Sequence, residues 1–241
     1  MPEGALECVL ASNEYGTYCL PASVVHRSRE RPIVQAVLEG RVHEADTVEA
    51  LRAVDPDGDI VHAGAFFGDF IPALAKSRNN GAIVWAFEPG LESYRCAQIT
   101  VLLNALEGVV LTHAGLGAKR SSAFLTTSDD AGEALGGASR LIRDPARIRW
   151  TDNEEVELVA VDEIVGGDRR VAAIHLDVEG HEQEALIGAM RTIERCRPLI
   201  VLESVPEERW MAANLTPLGY KVDGSVDINC VLRSSAPIAQ G

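Results

Sequence analysis

From residue 59 onward the chain alternates between short, uninterrupted apolar runs and longer segments of helical periodicity. That alternation constrains the fold more than any other feature. The apolar runs lie at 60–63, 82–87, 109–112, 156–161, 171–176 and 199–203. Helical segments fall at 70–78, 91–104, 182–196 and 207–215. A strand that is apolar at every position is covered on both faces, so these runs predict a parallel sheet flanked by helices. Right-handed strand–helix–strand units then give an α/β fold with one mostly parallel layer. Short strands at 220–222 and 228–232, close in sequence, predict an antiparallel pair at one edge. Segment 182–196 is the clearest helix. Ala185, Leu186, Ala189, Met190 and Ile193 form its apolar stripe. Glu182 and Glu184 open it, and Arg191 and Arg195 lie towards its end, which suits the helix dipole.

Residues 1–58 read differently. Strands at 7–10 and 15–20 flank a turn at Ser12-Asn13-Glu14. Helices follow at 33–38 and 47–53, the second capped by Asp46 or Thr47. Asp55-Pro56-Asp57-Gly58-Asp59 is a strong turn signal. The expected organisation is an N-terminal preamble over 1–58 that covers the site, then one catalytic domain over 59–241.

The formal charge of −14 repels a phosphate backbone, so a nucleic-acid partner is not expected. The densest basic stretch, 140–149, holds four arginines. It reads as a solvated surface or as a contact to an anionic substrate group. Five cysteines (Cys8, Cys19, Cys96, Cys196 and Cys230) form no CxxC, which suits free thiols in a reducing compartment. The first residues lack a secretory pattern, and no apolar stretch approaches the ~18 residues of a membrane span. The expectation is a soluble, cytoplasmic protein with no membrane partner; a homodimer is compatible with it.

The run Ile60-Val61-His62-Ala63-Gly64-Ala65-Phe66-Phe67-Gly68 joins the first apolar strand to a helix. In such sheets, ligands sit beyond the carboxyl ends of the strands. Glycines there let backbone approach a ligand. Alone, the loop is equally a structural tight turn. The next strand ends in Glu88-Pro89, which places a carboxylate where it can bind ribose hydroxyls. Loop and Glu88 together read as a nucleoside-cofactor site. A dinucleotide would need G-x-G-x-x-G, and Phe66 stands where the second glycine belongs. S-adenosylmethionine has no phosphate and accepts the bulkier loop.

The strand at 171–176 ends in Asp177-Val178-Glu179-Gly180-His181-Glu182. Three acids and an imidazole beside a buried strand are costly unless used or paired. His181 has the intrinsic pKa of a general base. Asp177 and Glu203, at the ends of adjacent strands, make a candidate Mg²⁺ pair. Glu182 reads either as a catalytic carboxylate or as a plain helix-opening residue. His175, inside its strand, reads as a core histidine.

These motifs, with Val161-Asp162-Glu163-Ile164, Asn104 and Pro198-Leu199-Ile200-Val201-Leu202-Glu203, resemble the FkbM-type methyltransferases over about residues 44–205. The resemblance implies a class I Rossmann-like fold: a seven-stranded, mostly parallel sheet with helices on both faces and one antiparallel edge strand. It implies methyl transfer from S-adenosylmethionine, usually to an oxygen of a sugar or a polyketide, often with Mg²⁺. Gly64, Ala65 and Gly68 would line the methionine part, Glu88 would hold the ribose, and Asp177 would sit beside the transferring methyl. The family usually has Asp where this chain has His62, and a Gly-Ala-Asn-x-Gly loop. Asp69 or Thr47 is the candidate replacement for that carboxylate.

The expected cofactor contacts are thus Thr47, Gly64, Ala65, Phe67, Gly68, Asp69 and Glu88, and the expected catalytic groups are His181, Asp177 and Glu182. The expected activity is O-methylation of a small-molecule or oligosaccharide acceptor, such as a polysaccharide precursor or an antibiotic sugar. A polyketide acceptor, a nicotinamide-dependent oxidoreductase and a non-catalytic nucleoside-binding protein are the rival readings. The stretch 115–150 lacks periodicity and carries Gly132, Gly136, Gly137 and Ser139, so it is expected to be a flexible wall of the acceptor pocket.

Overall fold

A computed structural model of the chain describes residues 6–25, 31–129, 131–142 and 153–236. Cys8–Ser12 (β1) and Thr17–Pro21 (β2) form an antiparallel hairpin. Asp59–Ala63 (β3), Val84–Phe87 (β4) and Val109–Thr112 (β5) follow. Gly115–Leu116 (β6), Ser121–Thr126 (β7), Arg140–Leu141 (β8) and Asn153–Val159 (β9) form a small sheet in the order β6-β9-β7-β8. Val171–Leu176 (β10), Leu199–Leu202 (β11), Tyr220–Val226 (β12) and Asn229–Ser234 (β13) complete the main sheet.

The main sheet has seven strands in the order β12-β13-β11-β10-β3-β4-β5. The run from β11 to β5 is parallel, and β13 is antiparallel to both neighbours. This is the Rossmann-like layer expected of a class I methyltransferase. Its antiparallel strand lies one position in from the edge, which β12 forms. Strand order reverses between β3 and β10, so connections leave these neighbours in opposite directions and open a crevice above them. All residues of β3 are buried, as its unbroken apolar run requires.

The structure departs from the expected elements in four places. Segment 115–150 is not wholly irregular. It carries β6, β7 and β8, whose polar residues, such as Ser121, Ser122 and Thr126, hide the strand period. The run expected at 156–161 starts earlier, as β9, and pairs with β7 and β6 instead of joining the main sheet. Its alternation of buried Val156 and Leu158 with exposed Glu155 and Glu157 suits a sheet with one wet face.

The long helix expected at 182–196 is two helices, Glu182–Ile187 and Met190–Cys196. A Cβ at Gly188 would lie 2.0 Å from the Gly117 carbonyl oxygen, so the small sheet presses into the break. Asp162 restarts the helix: its carboxylate accepts the Arg191 and Thr192 N–H groups at 2.8 and 2.9 Å.

The helix Ala45–Arg52 begins after Glu44 and is not capped by Asp46 or Thr47. The Thr47 N–H and hydroxyl both donate to Asp227, at 2.8 and 2.9 Å, and so tie this helix to the turn between β12 and β13. The hairpin is docked as firmly. Asn104 accepts the Thr17 N–H at 2.9 Å and donates to its carbonyl at 2.6 Å. Tyr18 and Leu20 are fully buried beside Phe67. Each such side chain contributes about 1.5–3 kcal/mol on leaving water. Among the described residues, no helix is long and apolar enough to cross a membrane.

Candidate active site

The loop after β3 is set by close approach. Gly64 has φ 84°, and a Cβ there would stand 1.9 Å from the Asp177 carbonyl oxygen. Glycine therefore lets β3 and β10 end side by side at the crevice. The loop is anchored sideways too, because the Gly64 and Ala65 N–H groups donate to the Phe87 carbonyl at 3.2 and 3.1 Å. Phe66 follows at φ 46°, a left-handed conformation rare for a non-glycine residue.

Glu88 explains that conformation. One carboxylate oxygen accepts the Phe66 N–H at 2.7 Å and the other accepts the Gly90 N–H at 2.8 Å. The group is buried, and burial pushes its pKa up to about 8 against these two N–H groups. Glu88 thus clamps the loops after β3 and β4 together and lies in the wall of a cleft of about 540 Å³. Gly64, Leu116, Leu125, Asp177 and His181 also line it.

Phe66 divides this cleft from a second cavity of about 850 Å³. Gly136 and Gly137 pack against its ring, where a Cβ would come within 3.0 and 3.3 Å respectively. Of the 115–150 stretch, Gly136, Gly137 and Ser139 line the first cavity and Gly137 also lines the second, while Gly132 lines a different surface depression. The arginine-rich 143–149 part of the basic stretch lies outside the described residues, while Arg140 is exposed.

Five carboxyls line the second cavity: Glu44, Asp69, Asp177, Glu179 and Glu203. Oxygens of Asp177, Glu179 and Glu203 fall within 4.8 Å of one another, which is the reach of one hard cation. Burial, then the Glu203 charge, raises the Asp177 pKa to about 9. Burial and the same neighbour raise Glu179. Asp69, half-buried, is pushed up to about 8 by desolvation, with the Glu44 and Glu88 charges adding to it.

His62 and His175 occupy register-paired positions on β3 and β10 and meet Nδ1 to Nδ1 at 2.9 Å. Phe70 stacks on both rings at 5.4 and 5.3 Å. Both imidazoles are buried, which lowers the His62 pKa to about 4 and holds both rings neutral. His175 is thus buried as expected, but it lines the second cavity with its partner.

Of the expected residues, the fold brings Gly64, Asp69, Glu88, Asp177, His181 and Glu203 to the two cavities. Ala65 and Phe67 are fully buried in apolar clusters. Gly68 packs against the helix Leu91–Leu103, with Ala97 and Thr100 in contact distance of a Cβ. Thr47 is held by Asp227 and lines neither cavity. Glu182 is buried, and one of its oxygens accepts the Val178 and Gly180 N–H groups at 3.3 and 3.2 Å. It therefore holds the turn that presents Asp177, Glu179 and His181, which is its helix-opening reading. The sequence offered no signal for Glu44 and only bulk for Phe66. Glu179 and the two histidines were visible as polar residues against apolar strands.

Asp69 yields a pH prediction. Its folded pKa of about 8 lies above the ordinary carboxylate range. Its stabilising contribution is complete below the unfolded pKa of ~4 and is lost as pH rises through about 8. Asp69→Asn is therefore expected to raise the thermal midpoint of the unliganded protein by an increment that grows between these pH values. An increment constant with pH would contradict this.

The Methyltransferase FkbM domain family matches residues 62–221 of this chain. No curated protein is significantly similar to it in sequence. Among solved structures, the FkbM methyltransferase of Methylobacillus flagellatus KT is 18% identical, with a TM-score of 0.47, over 74% of this chain and 44% of that one. M. jannaschii TYW2, in complex with AdoMet, is 13% identical with a TM-score of 0.48, over 96% and 86% of the two chains. A T. thermophilus 16S rRNA N2 G1207 methyltransferase, in complex with AdoMet and guanosine, is 16% identical with a TM-score of 0.45, over 97% and 52%. This chain spans less than half of the first of these proteins and about half of the last. The family match runs from His62 through the Gly64 loop, Glu88 and the Asp177, Glu179 and Glu203 carboxylates, and the chain belongs to the FkbM methyltransferase-domain family.

Proposed function

We propose that this chain transfers the methyl group of S-adenosylmethionine to a hydroxyl of a sugar or glycan, with Mg²⁺ as a second cofactor. One observation carries the reading. Glu88 and the Asp177–Glu179–Glu203 group lie in adjoining cavities divided by the Phe66 ring, at the point where strand order reverses. The first cavity suits the nucleoside. Glu88 accepts ribose hydroxyls there, and Leu116, Leu125 and Leu141 supply an apolar wall for the base. Phe66 occupies the space where a pyrophosphate would need bare backbone, which disfavours a nicotinamide dinucleotide.

The cofactor supplies a methyl carbon already activated by its sulfonium, so the protein's main task is alignment of the attacking oxygen. Three carboxylates within reach of one ion are a donor set that fits Mg²⁺. Asp177, Glu179 and Glu203 would hold the ion, which would supply Lewis-acid lowering of the acceptor hydroxyl's proton cost. Asp177, Glu179 and Glu203 orient the acceptor, and His181, in the wall shared with Asp177, takes the hydroxyl proton. A cavity so rich in carboxyls favours a polar sugar over an apolar polyketide.

Calorimetry with S-adenosylhomocysteine and with NAD, then incubation with labelled S-adenosylmethionine and a panel of mono- and disaccharides, tests this reading. S-adenosylhomocysteine is expected to bind, and label is expected in a sugar product. EDTA is expected to abolish the transfer, and His181→Ala to slow it about 10²–10⁴-fold. Binding of NAD instead would overturn the reading; turnover untouched by EDTA or by His181→Ala would remove the metal or the base.

A further inference from the structure

The proposed reaction is divided between two cavities: the nucleoside lies in the 540 Å³ cleft and the acceptor at the carboxylates of the 850 Å³ cavity. Methyl transfer needs the attacking oxygen and the methyl carbon about 3–3.5 Å apart. Gly64, Phe66, Gly137 and Asp177 stand in the wall that both cavities share. Two of these are glycines, and Asp177 belongs to the carboxylate set. Phe66 alone among them places a ring in the path between donor and acceptor.

That ring is held by a strained backbone. Phe66 has φ 46°, which a bulky residue keeps only where its surroundings over-determine it. One such constraint is the Phe66 N–H, which donates to Glu88 at 2.7 Å. The residue is 4% exposed and packs on Phe67, with ring centroids 4.7 Å apart, and on Gly136 and Gly137. Glycine at both of the last positions leaves that face of the ring without a side chain to lock it. A return of residue 66 to negative φ redirects its Cα–Cβ bond and takes the ring off the partition. Glu88 is also the proposed partner of the ribose, so nucleoside binding and the hold on the Phe66 N–H meet at one carboxylate.

We infer that Phe66 is a gate between donor and acceptor: its ring closes the passage, and the chain carried on the ribose 5′ carbon displaces it when the donor binds. The inference rests on the methyl-transfer reading, which puts nucleoside and acceptor on opposite sides of the ring. A closed gate reduces the affinity of a ligand that has to pass it by the fraction of molecules in which it stands open. A nucleoside confined to the first cavity escapes that cost.

The test is calorimetry on the full chain with Mg²⁺ present. The probes are S-adenosylhomocysteine and adenosine, the same nucleoside with a hydroxyl in place of the sulfur and its chain. Phe66→Gly removes the ring and accepts the positive φ without strain. It is expected to tighten S-adenosylhomocysteine about tenfold or more and to change adenosine by less than about twofold. A residue that merely packs against the ligand gives the opposite sign, because its loss weakens binding. Weaker S-adenosylhomocysteine binding, an equal change in both ligands, or no change in either overturns the gate. Retained adenosine binding shows that the variant is folded. Phe66→Ala is the second variant, and loss of adenosine by both places Phe66 in the nucleoside wall and overturns the gate as well. Should the wild type bind neither ligand, the methyl-transfer reading itself falls, and the gate falls with it.

Discussion

Gly64→Ala is expected to destabilise the fold by about 2–5 kcal/mol. The new Cβ would stand 1.9 Å from the Asp177 carbonyl oxygen and 2.9 Å from its carbon. Neither strand end can retreat, because the Asp177 N–H donates to the Ala63 carbonyl at 3.1 Å and Leu176 is paired with Ala63. A left-handed alanine costs about 1–2 kcal/mol, and overpacking adds about 1–3 kcal/mol. Together these take a large share of the ~5–15 kcal/mol that holds a domain folded. Gly81→Ala is the control. Gly81 also has a positive φ, 95°, but a Cβ there meets nothing within 4 Å. Chemical denaturation of the two variants should show Gly64→Ala far less stable. Equal losses would mean that backbone conformation, not the contact with β10, sets the cost.

Asp177→Asn is expected to separate stability from activity. On the proposed mechanism, turnover should fall at least about a hundredfold, since the change removes one of the three carboxylates proposed to hold Mg²⁺ and leaves a neutral amide in its place. The unliganded variant should nevertheless melt higher than the wild type. Burial and Glu203 hold the Asp177 pKa at about 9, so its charge opposes folding more strongly as pH rises towards that value. Asparagine keeps the shape and drops the charge. Stability surrendered for a charged site is a common trade in enzymes. A variant that melts lower at every pH, or one that keeps full turnover, would contradict this assignment.

The same residues show what could be read locally and what could not. Glu88 and Asp177 were legible because each ends an apolar strand, and the carboxyl ends of such strands face the ligand. Which loop residues face it was not legible. Gly64 and Phe66 line the cavities while Ala65, Phe67 and Gly68 turn into the core, and a loop without periodicity carries no record of that choice. Thr47 looked available, but its hydroxyl is taken by Asp227, 180 residues away. Glu182 looked catalytic, but it closes its own turn.

The sequence by itself determined the layer. Strands buried on both faces must be apolar at every position, so the alternation of runs carried the mostly parallel layer; its seven strands were implied by the family resemblance, and the run at 156–161 pairs in the small sheet instead. Only the tertiary structure decided the contents of the crevice. Strand register placed His62 against His175, a turn brought Glu44 beside Asp69, and two strand ends gathered Asp177, Glu179 and Glu203. Such groupings depend on distances between segments far apart in the chain, and local composition leaves those distances open.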